Sequence, residues 1–389
     1  MSNTAIKYLV DKYYAAIVSP AEQRLFDLAF AAAPTQAEVD IFLRDWDIEV
    51  KNMSALMLSY FMRAHPELKF TEYETPRLRG LLDRWRFSNL EKIANFAKVA
   101  KALNAAKIPL LLMRGGAMKY LRPELSRTMG DVDFLVPTDR LDAAVDAALA
   151  QGFKCKYFER EKNLDRVLRH QHHAVDLVDA DGKDALDIHR LLFAGCPNGE
   201  QFTADLLARA YPVTAFGAEV LLPADEDFVF MLLINVRKNL AERTSLAGVL
   251  FTLFDIKFFL DRASNFNWQQ VLDDARQIEA EPSLKLVIAF IRRVAPAVLP
   301  ADLSERIPLS PREKFDLERQ VFDELYFTDV SLRRGQLRWK GLVRELKLVL
   351  KKFGQYFADK FHFALYKRVR RSPRLTGYAV RRTVKGDDR

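Results

Sequence analysis

The fold is decided by residues 108–136, which read IPLLLMRGGAMKYLRPELSRTMGDVDFLV. The apolar run at 108–113 predicts a strand. Gly115 and Gly116 predict a turn, because glycine permits backbone conformations that other residues avoid. The residues that follow predict a short helix, which Pro123 ends because proline cannot continue the helical hydrogen bonding. The segment therefore opens as a strand, a glycine turn and a helix.

A second strand is predicted at residues 131–136, where polar and apolar side chains alternate. Side chains of a strand point alternately to opposite faces, so Asp131 and Asp133 share one face and the apolar residues share the other. Two carboxylates this close raise each other's pKa unless a cation lies between them. Because Mg²⁺ prefers carboxylate and phosphate oxygens, we predict that Asp131 and Asp133 bind Mg²⁺ or Mn²⁺.

A third carboxylate is expected on a neighbouring strand. Residues 174–178 and 185–189 read AVDLV and ALDIH, and the turn-forming residues between them predict a β-hairpin. Asp187 lies between two apolar residues, so it faces away from the core and is our first choice for the third metal ligand. Asp176 has the same position in the other strand and is the alternative.

The glycine turn has a predicted role in binding a triphosphate. The first N–H groups of a helix attract anions, and Gly115 and Gly116 allow a phosphate to approach the backbone. Arg127, four residues before Asp131, is placed to neutralise phosphate charge with its forked donors. Taken singly, each feature also fits a structural role, such as an ion pair between Arg127 and Glu124. Their order along the chain makes the pattern more specific.

This order of segments resembles the nucleotidyltransferase superfamily that includes the polymerase-beta-like enzymes. It is more closely similar to a bacterial family of uncharacterised nucleotidyltransferases. The similarity rests on LMRGGAM at 112–118, RTMGDVDFLV at 127–136 and LDIH at 186–189. Shorter matching segments are GF at 152–153, PADED at 223–227, DI at 255–256 and NW at 267–268, so the resemblance covers about residues 20–300.

The resemblance implies an α+β fold in which a small mixed nucleotidyltransferase-type sheet is flanked by helices. It also implies metal-dependent transfer of a nucleotidyl group from an NTP, with ATP favoured, to an unidentified acceptor. Asp131 and Asp133 would be metal ligands, and Asp187 would complete the site and help to deprotonate the acceptor. Two positions depart from the family pattern: Arg114 replaces a frequent lysine and keeps its charge, and Asn235 replaces an expected histidine.

We divide the chain into four parts on the basis of these patterns. They are an N-terminal helical region at 1–105, the nucleotidyltransferase core at 106–200, a C-terminal helical domain at 201–330 and a basic amphipathic tail at 331–389. Helices are predicted at residues 20–33, 35–46, 50–64, 88–106 and 141–151, and residues from 202 onward return to helical periodicity.

The C-terminal helical domain contributes three further candidate residues. In this superfamily such a domain closes over the nucleotide, so the resemblance implies that Arg237, Lys238 and Asp255 contact the substrate phosphates or ribose. Ion pairs between packed helices are an equally good explanation of these three residues.

The histidines are interpreted as structural. Residues 169–173 read RHQHH, and with Cys155 or Cys196 they suggest zinc, but no second ligand pair with zinc spacing follows. His189 is predicted to point to the face opposite Asp187 and to be either a structural residue or a support for the site, rather than a general base.

Composition indicates a globular protein. The chain has 389 residues, of which 49% are hydrophobic and 11% aromatic, and this excludes disordered and collagen-like classes. Two cysteines and the lack of a recognisable leader predict a cytoplasmic location. The longest apolar runs, at 246–260 and 284–299, are interrupted by charges, so we expect no membrane-spanning helix.

The tail at 331–389 carries 18 Lys and Arg against 4 Asp and Glu, a net charge of +14, whereas residues 1–330 carry −6. Apolar residues at helical spacing predict a basic amphipathic helix. It would pack on the acidic body, lie on an anionic membrane or bind a nucleic acid through its phosphates. The alternative function is therefore a catalytically silent protein of this fold whose tail binds RNA or a membrane.

Overall fold

The computed structural model describes residues 4–31, 33–45, 65, 67–69, 74–123, 129–156, 173–193, 196–242, 246–261, 263 and 265–327. The chain divides into two units, one formed by residues 1–16 with 309–389 and the other by residues 17–308. The second unit contains the sheet and the described candidate site residues. The predicted helix at 50–64 and the basic tail, with its proposed membrane and nucleic-acid contacts, lie outside the described residues.

The described helices are α1 (Thr4–Ile17), α2 (Pro20–Ala29), α3 (Gln36–Asp45), α4 (Glu74–Ala105), α5 (Arg114–Leu121), α6 (Leu141–Ala150), α7 (Gly199–Arg209), α8 (Asp225–Glu242), α9 (Leu246–Leu260), α10 (Trp268–Gln277), α11 (Glu281–Val294) and α12 (Pro311–Phe327). The strands are β1 (Leu111–Leu112), β2 (Val132–Leu135), β3 (Lys154–Cys155), β4 (Ala174–Val178), β5 (Asp184–His189), β6 (Tyr211–Ala215) and β7 (Ala218–Leu222). The α+β class is therefore confirmed. None of the described helices is both long enough and apolar enough to cross a membrane.

The strands form one seven-stranded mixed sheet in the order β3-β4-β5-β2-β1-β7-β6. β2 pairs in parallel with β5 and antiparallel with β1, and β1 pairs in parallel with β7. All four residues of β2 are buried, as expected for a strand in the middle of a sheet with helices beside it. The acidic motif of the sequence therefore lies at the centre of the sheet.

Helix α4 packs against the sheet along one face. Phe96, Val99 and Leu103 recur at helical spacing and are fully buried. The ring of Phe96 makes an edge contact with the ring of Phe134 in β2, with centroids 5.6 Å apart. Full burial of a side chain of this size contributes about 1.5–3 kcal/mol to stability. This contact covers the apolar face of β2, so the site forms on the opposite face, which carries Asp133.

The β6–β7 hairpin corrects the prediction that residues from 202 onward are helical. Its turn is formed by Phe216 and Gly217, whose φ angles are 54° and 79°. Positive φ at both positions is the geometry of the two-residue turns that match strand twist. Alternate residues of β7 are buried, which is the strand period of two. The hairpin was missed because it is short and lies between two long helical segments.

A partly exposed arginine and two buried carboxylates join α7, α8 and α10. Arg209 donates to both carboxylate oxygens of Asp227, at 2.6 and 3.0 Å, and to Asp274 at 3.1 Å. Gln270 donates to Asp274 at 2.9 Å, and both carboxylates are inaccessible to solvent. Burial raises the pKa of Asp274 to about 7, and the neighbouring Asp227 adds to this rise while Arg209 opposes it. We call these four side chains the helix cluster.

Candidate active site

Three aspartates lie side by side across the centre of the sheet. Asp176 of β4 pairs with Asp187 of β5, and Asp187 pairs with Asp133 of β2. Residues in register on adjacent strands point to the same face, so these carboxylates form a row across three strands. Asp131, two residues before Asp133, lies close enough to act electrostatically on Asp187. We call these four carboxylates, together with Arg114 and His189, the sheet cluster.

Asp187 is surrounded by like charges. Burial and the carboxylates of Asp131, Asp133 and Asp176 raise the pKa of Asp187 to about 9, and a hydrogen bond with Asp176 adds to this. Within the described residues, no cation forms an ion pair with Asp187. An opposite charge within a few ångströms favours an ionised carboxylate. Asp187 is therefore a position at which a bound cation would replace a proton.

Asp133 is held in the opposite protonation state. Arg114 donates from Nη1 to Oδ1 of Asp133 at 2.7 Å, and Nε2 of His189 lies 3.0 Å from the same oxygen. Burial opposes ionisation, but the Arg114 guanidinium and the His189 hydrogen bond hold the pKa of Asp133 below its usual range. The neighbouring aspartates thus differ: Asp133 is ionised, and Asp187 retains a proton at neutral pH when no cation is bound.

His189 lies on the same face as Asp187, and the prediction that it points to the other face is wrong. The two residues are two positions apart on β5, and side chains alternate with a period of two, so they share a face. The ring of His189 is 1% exposed. Burial lowers the pKa of His189, so the ring is neutral at neutral pH.

The donor set fits a divalent cation. Asp133, Asp187 and His189 each offer one ligand atom, and these atoms lie within 4.8 Å of one another. Carboxylate oxygens suit Mg²⁺ and Mn²⁺, and an imidazole nitrogen suits transition metals. Asp131 and Asp176 lie outside this set of three. Asp187 is therefore favoured over Asp176 as the third carboxylate, and the predicted ligand Asp131 lies near the set without being part of it.

The glycine pair forms the first turn of α5 rather than a turn before it. The helix begins at Arg114, and Gly115 and Gly116 are buried. A Cβ on Gly116 would lie 2.7 Å from Cδ1 of Leu112 and 3.1 Å from Cγ1 of Val132. Glycine therefore allows α5 to approach β1 and β2 closely. This brings the N-terminus of the helix next to the strand that carries Asp133.

Two further features of the chain position the acidic residues. Arg114 has a φ of 44°, in the left-handed region that side chains other than glycine, asparagine and aspartate rarely adopt. On α4, the buried Asn89 accepts a hydrogen bond from the N–H of Met129 at 3.0 Å. This bond anchors the chain two residues before Asp131.

The remaining predicted residues have different surroundings. Arg237 and Asp255, on α8 and α9, are 7% and 2% exposed. Lys238 is exposed, and its charge acts on Asp133 and His189, so it lies near the sheet cluster. Arg127 lies outside the described residues. Lys238 therefore has an electrostatic link to Asp133 and His189.

The sequence does not predict which contacts Arg114, His189 and Asn89 make in the site. The sequence does contain a signal for Arg114, because this residue adjoins the glycine pair and carries a charge. It contains one for His189 as well, in the spacing of two residues from Asp187. Asn89 had none, since its partner is 40 residues away in the chain.

Residues 57–296 match the protein family described as "Uncharacterised nucleotidyltransferase". The chain belongs to this family. The match spans the whole sheet, most of the helices of the second unit and each described residue of the sheet cluster. The resemblance inferred from the sequence motifs is thereby confirmed, and the protein is classed as a nucleotidyltransferase.

Among solved structures, this nucleotidyltransferase is similar to the antibiotic-resistance factor ANT(2'')-Ia, whose solution structure is known. The two share 11% sequence identity with a TM-score of 0.33, over 49% of this chain and 92% of that chain. A comparison with curated proteins gives no match.

Proposed function

We propose that this nucleotidyltransferase transfers a nucleotidyl group from an NTP, with ATP the favoured donor, to an acceptor hydroxyl or phosphate, using Mg²⁺ or Mn²⁺. The observation that carries the proposal is the register of β2 and β5, which places Asp133 beside Asp187 on parallel strands. Like charges inside a sheet are unfavourable unless a proton or a cation neutralises them. A divalent cation at these carboxylates would also bind phosphate oxygens, which is the chemistry that nucleotidyl transfer needs.

The residues that would hold the cation are Asp131, Asp133 and Asp187, with Asp176 as the alternative to Asp187. When bound, a divalent cation neutralises charge on the triphosphate and on the departing pyrophosphate. The row of carboxylates supplies the oxygen ligands that Mg²⁺ and Mn²⁺ prefer. The raised pKa of Asp187 supports this assignment, because it identifies the carboxylate most in need of an opposite charge.

The triphosphate would be bound by N–H groups and cations of the protein itself. Gly115 and Gly116 lie in the first turn of α5, where backbone N–H groups and the helix dipole favour anions. Lys238 is exposed near the same cluster and supplies positive charge to the phosphates. Arg127 remains part of this proposal as a further phosphate ligand. Arg237 and Asp255 remain proposed contacts of the phosphates or ribose.

Asp187 is the proposed base for the acceptor. Its carboxylate accepts the proton of the acceptor hydroxyl while that oxygen forms a bond to the α-phosphorus of the NTP. The bond from the α-phosphorus to the bridging oxygen breaks, and pyrophosphate leaves with its electron pair. The hydrogen bond from Asp187 to Asp176 provides a route by which the proton moves away from the site.

The test is turnover of each NTP, labelled at the α-phosphate, with candidate acceptors and Mg²⁺ or Mn²⁺. We expect labelled acceptor and pyrophosphate, most rapidly with ATP. The Asp131→Ala, Asp133→Ala double variant should abolish both products. The matched control is Asp142→Ala, Asp146→Ala, which removes two exposed carboxylates of α6 and should leave turnover unchanged. Unaltered turnover in the first variant would contradict the proposal, and ADP in place of pyrophosphate would show phosphoryl transfer.

A further inference from the structure

One oxygen of Asp133 receives two hydrogen bonds inside the sheet cluster. Nη1 of Arg114 lies 2.7 Å from Oδ1 and Nε2 of His189 lies 3.0 Å from the same atom. The three side chains are 11%, 1% and 10% exposed for Arg114, His189 and Asp133, so water competes little for these bonds. The other oxygen, Oδ2, accepts no hydrogen bond from the described residues. The two oxygens of this carboxylate are therefore in different surroundings.

The position of the proton between His189 and Asp133 follows from the neighbouring arginine. Arg114 carries a permanent charge and keeps the Asp133 carboxylate ionised. A nitrogen lone pair facing an ionised oxygen at 3.0 Å would be repelled, so Nε2 must carry the hydrogen and donate it. The bare nitrogen of the ring is then Nδ1. This atom is buried and has no hydrogen-bond partner among the described residues, which suits an unprotonated nitrogen better than a buried N–H.

We propose that His189 is a positioning residue that, together with Arg114, fixes Oδ1 of Asp133 and leaves Oδ2 for the divalent cation, and that His189 does not itself bind the cation. The inference rests on the proposed function, since it concerns the same cation. A carboxylate held by two donors is oriented before the cation arrives, so less freedom is lost on binding. His189 acts on the cation only through Asp133.

The competing arrangement is direct ligation by the ring. Asp133, Asp187 and His189 form a set whose ligand atoms lie within 4.8 Å of one another. Ligation through Nε2 would require that nitrogen to lose its proton and its bond to Asp133. It would also change the donor set from oxygen alone to oxygen and nitrogen, which favours Mn²⁺ and later transition metals over Mg²⁺. The two arrangements therefore differ in a property that spectroscopy measures.

The first measurement is pulsed electron paramagnetic resonance of Mn²⁺ bound to the wild-type protein and to His189→Gln. The proposal predicts that the wild type and His189→Gln show the same couplings between Mn²⁺ and directly bound nitrogen, because His189 is not a ligand. Coupling of a directly bound nitrogen that is present in the wild type and absent in His189→Gln would overturn it. This measurement requires no turnover, so it is independent of whether the acceptor is known.

The second measurement is titration with Mn²⁺ of a donor-retaining and a donor-free variant. His189→Gln keeps an N–H near the position of Nε2 and should bind Mn²⁺ within about threefold of the wild type, whereas His189→Leu should lose about 10- to 100-fold in affinity. The control is His65→Gln, a site remote in sequence whose ring contacts Glu67 and whose change should have no effect. Equal affinity of His189→Leu and the wild type would overturn the proposal.

Folding of each variant is checked by circular dichroism without metal. If His189→Leu does not fold, Arg114→Gln tests the same oxygen from the other donor and should lower Mn²⁺ affinity. Unchanged affinity in Arg114→Gln would then count against the proposal. A wild-type protein that binds no Mn²⁺ would overturn both this inference and the proposed function. Nucleotidyl transfer by the wild type with unchanged Mn²⁺ affinity in His189→Leu would overturn this inference alone.

Discussion

The sheet cluster and the helix cluster both place carboxylates next to one another, but they differ in how the charge is balanced. In the helix cluster, Asp227 and Asp274 share the guanidinium of Arg209, and Gln270 completes the hydrogen bonding of Asp274 Oδ1. In the sheet cluster, Asp187 faces three further carboxylates and forms no ion pair with any described cation.

A structural ion pair and a candidate metal site differ in whether the protein itself supplies a cation to each carboxylate. A raised pKa occurs in both clusters, since burial raises the pKa of Asp274 to about 7 and that of Asp187 to about 9. The difference is the presence of an arginine that bridges the carboxylates of the helix cluster. In the helix cluster the protein itself supplies a cation to both carboxylates, although Oδ2 of Asp274 is buried without a hydrogen-bond partner in the described part of the chain. At Asp187 no described side chain supplies a cation, so a proton or a metal ion must balance the charge.

The largest expected difference between the clusters is in catalysis. Asp187→Asn should lower nucleotidyl transfer by about a thousandfold, because it removes both a metal ligand and the proposed base. Asp274→Asn makes the same change in the helix cluster and should leave the rate unchanged. Initial rates with labelled NTP measure both. Equal losses in the two variants would show that the rate responds to buried carboxylates in general, and the distinction between the clusters would fail.

The next effect is the pH dependence of metal binding at the sheet cluster. Because the pKa of Asp187 is raised to about 9, Mn²⁺ must displace a proton at lower pH, and its affinity should rise about tenfold for each pH unit up to that value. Isothermal titration at pH 6 and pH 8 should therefore differ by about a hundredfold. Asp187→Asn should bind more weakly and with a shallower dependence. A flat profile in the wild type would contradict the assignment of Asp187.

The helix cluster should respond to pH in its stability. The folded-state pKa of Asp274 is raised above that of an unfolded chain, so its contribution is fully present below about pH 4 and is lost as the pH rises through about 7. Relative to the wild type, Asp274→Asn should therefore gain about 2 kcal/mol in unfolding free energy between pH 5 and pH 8. Urea denaturation of both proteins at the two pH values measures this. A constant difference would mean that Arg209 neutralises Asp274 throughout this range.

The smallest effect concerns how α5 is held next to the sheet cluster. Gly116→Ala places a Cβ 2.7 Å from Cδ1 of Leu112, and displacing that side chain should cost about 1 kcal/mol of stability. It should also weaken Mn²⁺ binding slightly, because α5 carries Arg114. Gly130→Ala is the control, since its Cβ would meet no atom within 4 Å. Thermal unfolding and Mn²⁺ titration compare the two, and equal behaviour would remove the packing explanation for Gly116.

The parts of the site that the sequence predicts are those set by local periodicity. Alternation alone placed Asp131 and Asp133 on one face of a strand, and the hairpin at 174–189 was predicted with β4 at its observed bounds. The position of Asp187 opposite Asp176 follows from the same alternation. These features need only a period of two and a turn, which a short stretch of sequence contains.

The parts that the sequence could not predict depend on how distant segments meet. Arg114 and Asp133 are 19 residues apart, and their contact depends on how α5 packs against the sheet. The helix cluster joins Arg209 to Asp274 across 65 residues, with no local signal at either end. The wrong prediction for His189 has a different cause. Its spacing of two residues from Asp187 already indicates that the two side chains share a face. The β6–β7 hairpin is not predicted, because the helical patterns on either side of it are stronger.

We propose that Asp131, Asp133 and Asp187 hold a divalent cation beside the first turn of α5. Its most direct test is a crystal of the protein grown with Mn²⁺ and a non-hydrolysable NTP analogue, with diffraction measured on both sides of the manganese absorption edge. We expect an anomalous peak about 2 Å from oxygens of Asp133 and Asp187, with the triphosphate at Gly115 and Gly116. A bound nucleotide with no manganese at these carboxylates, and Arg114 and a proton as their only neutralising groups, would contradict it.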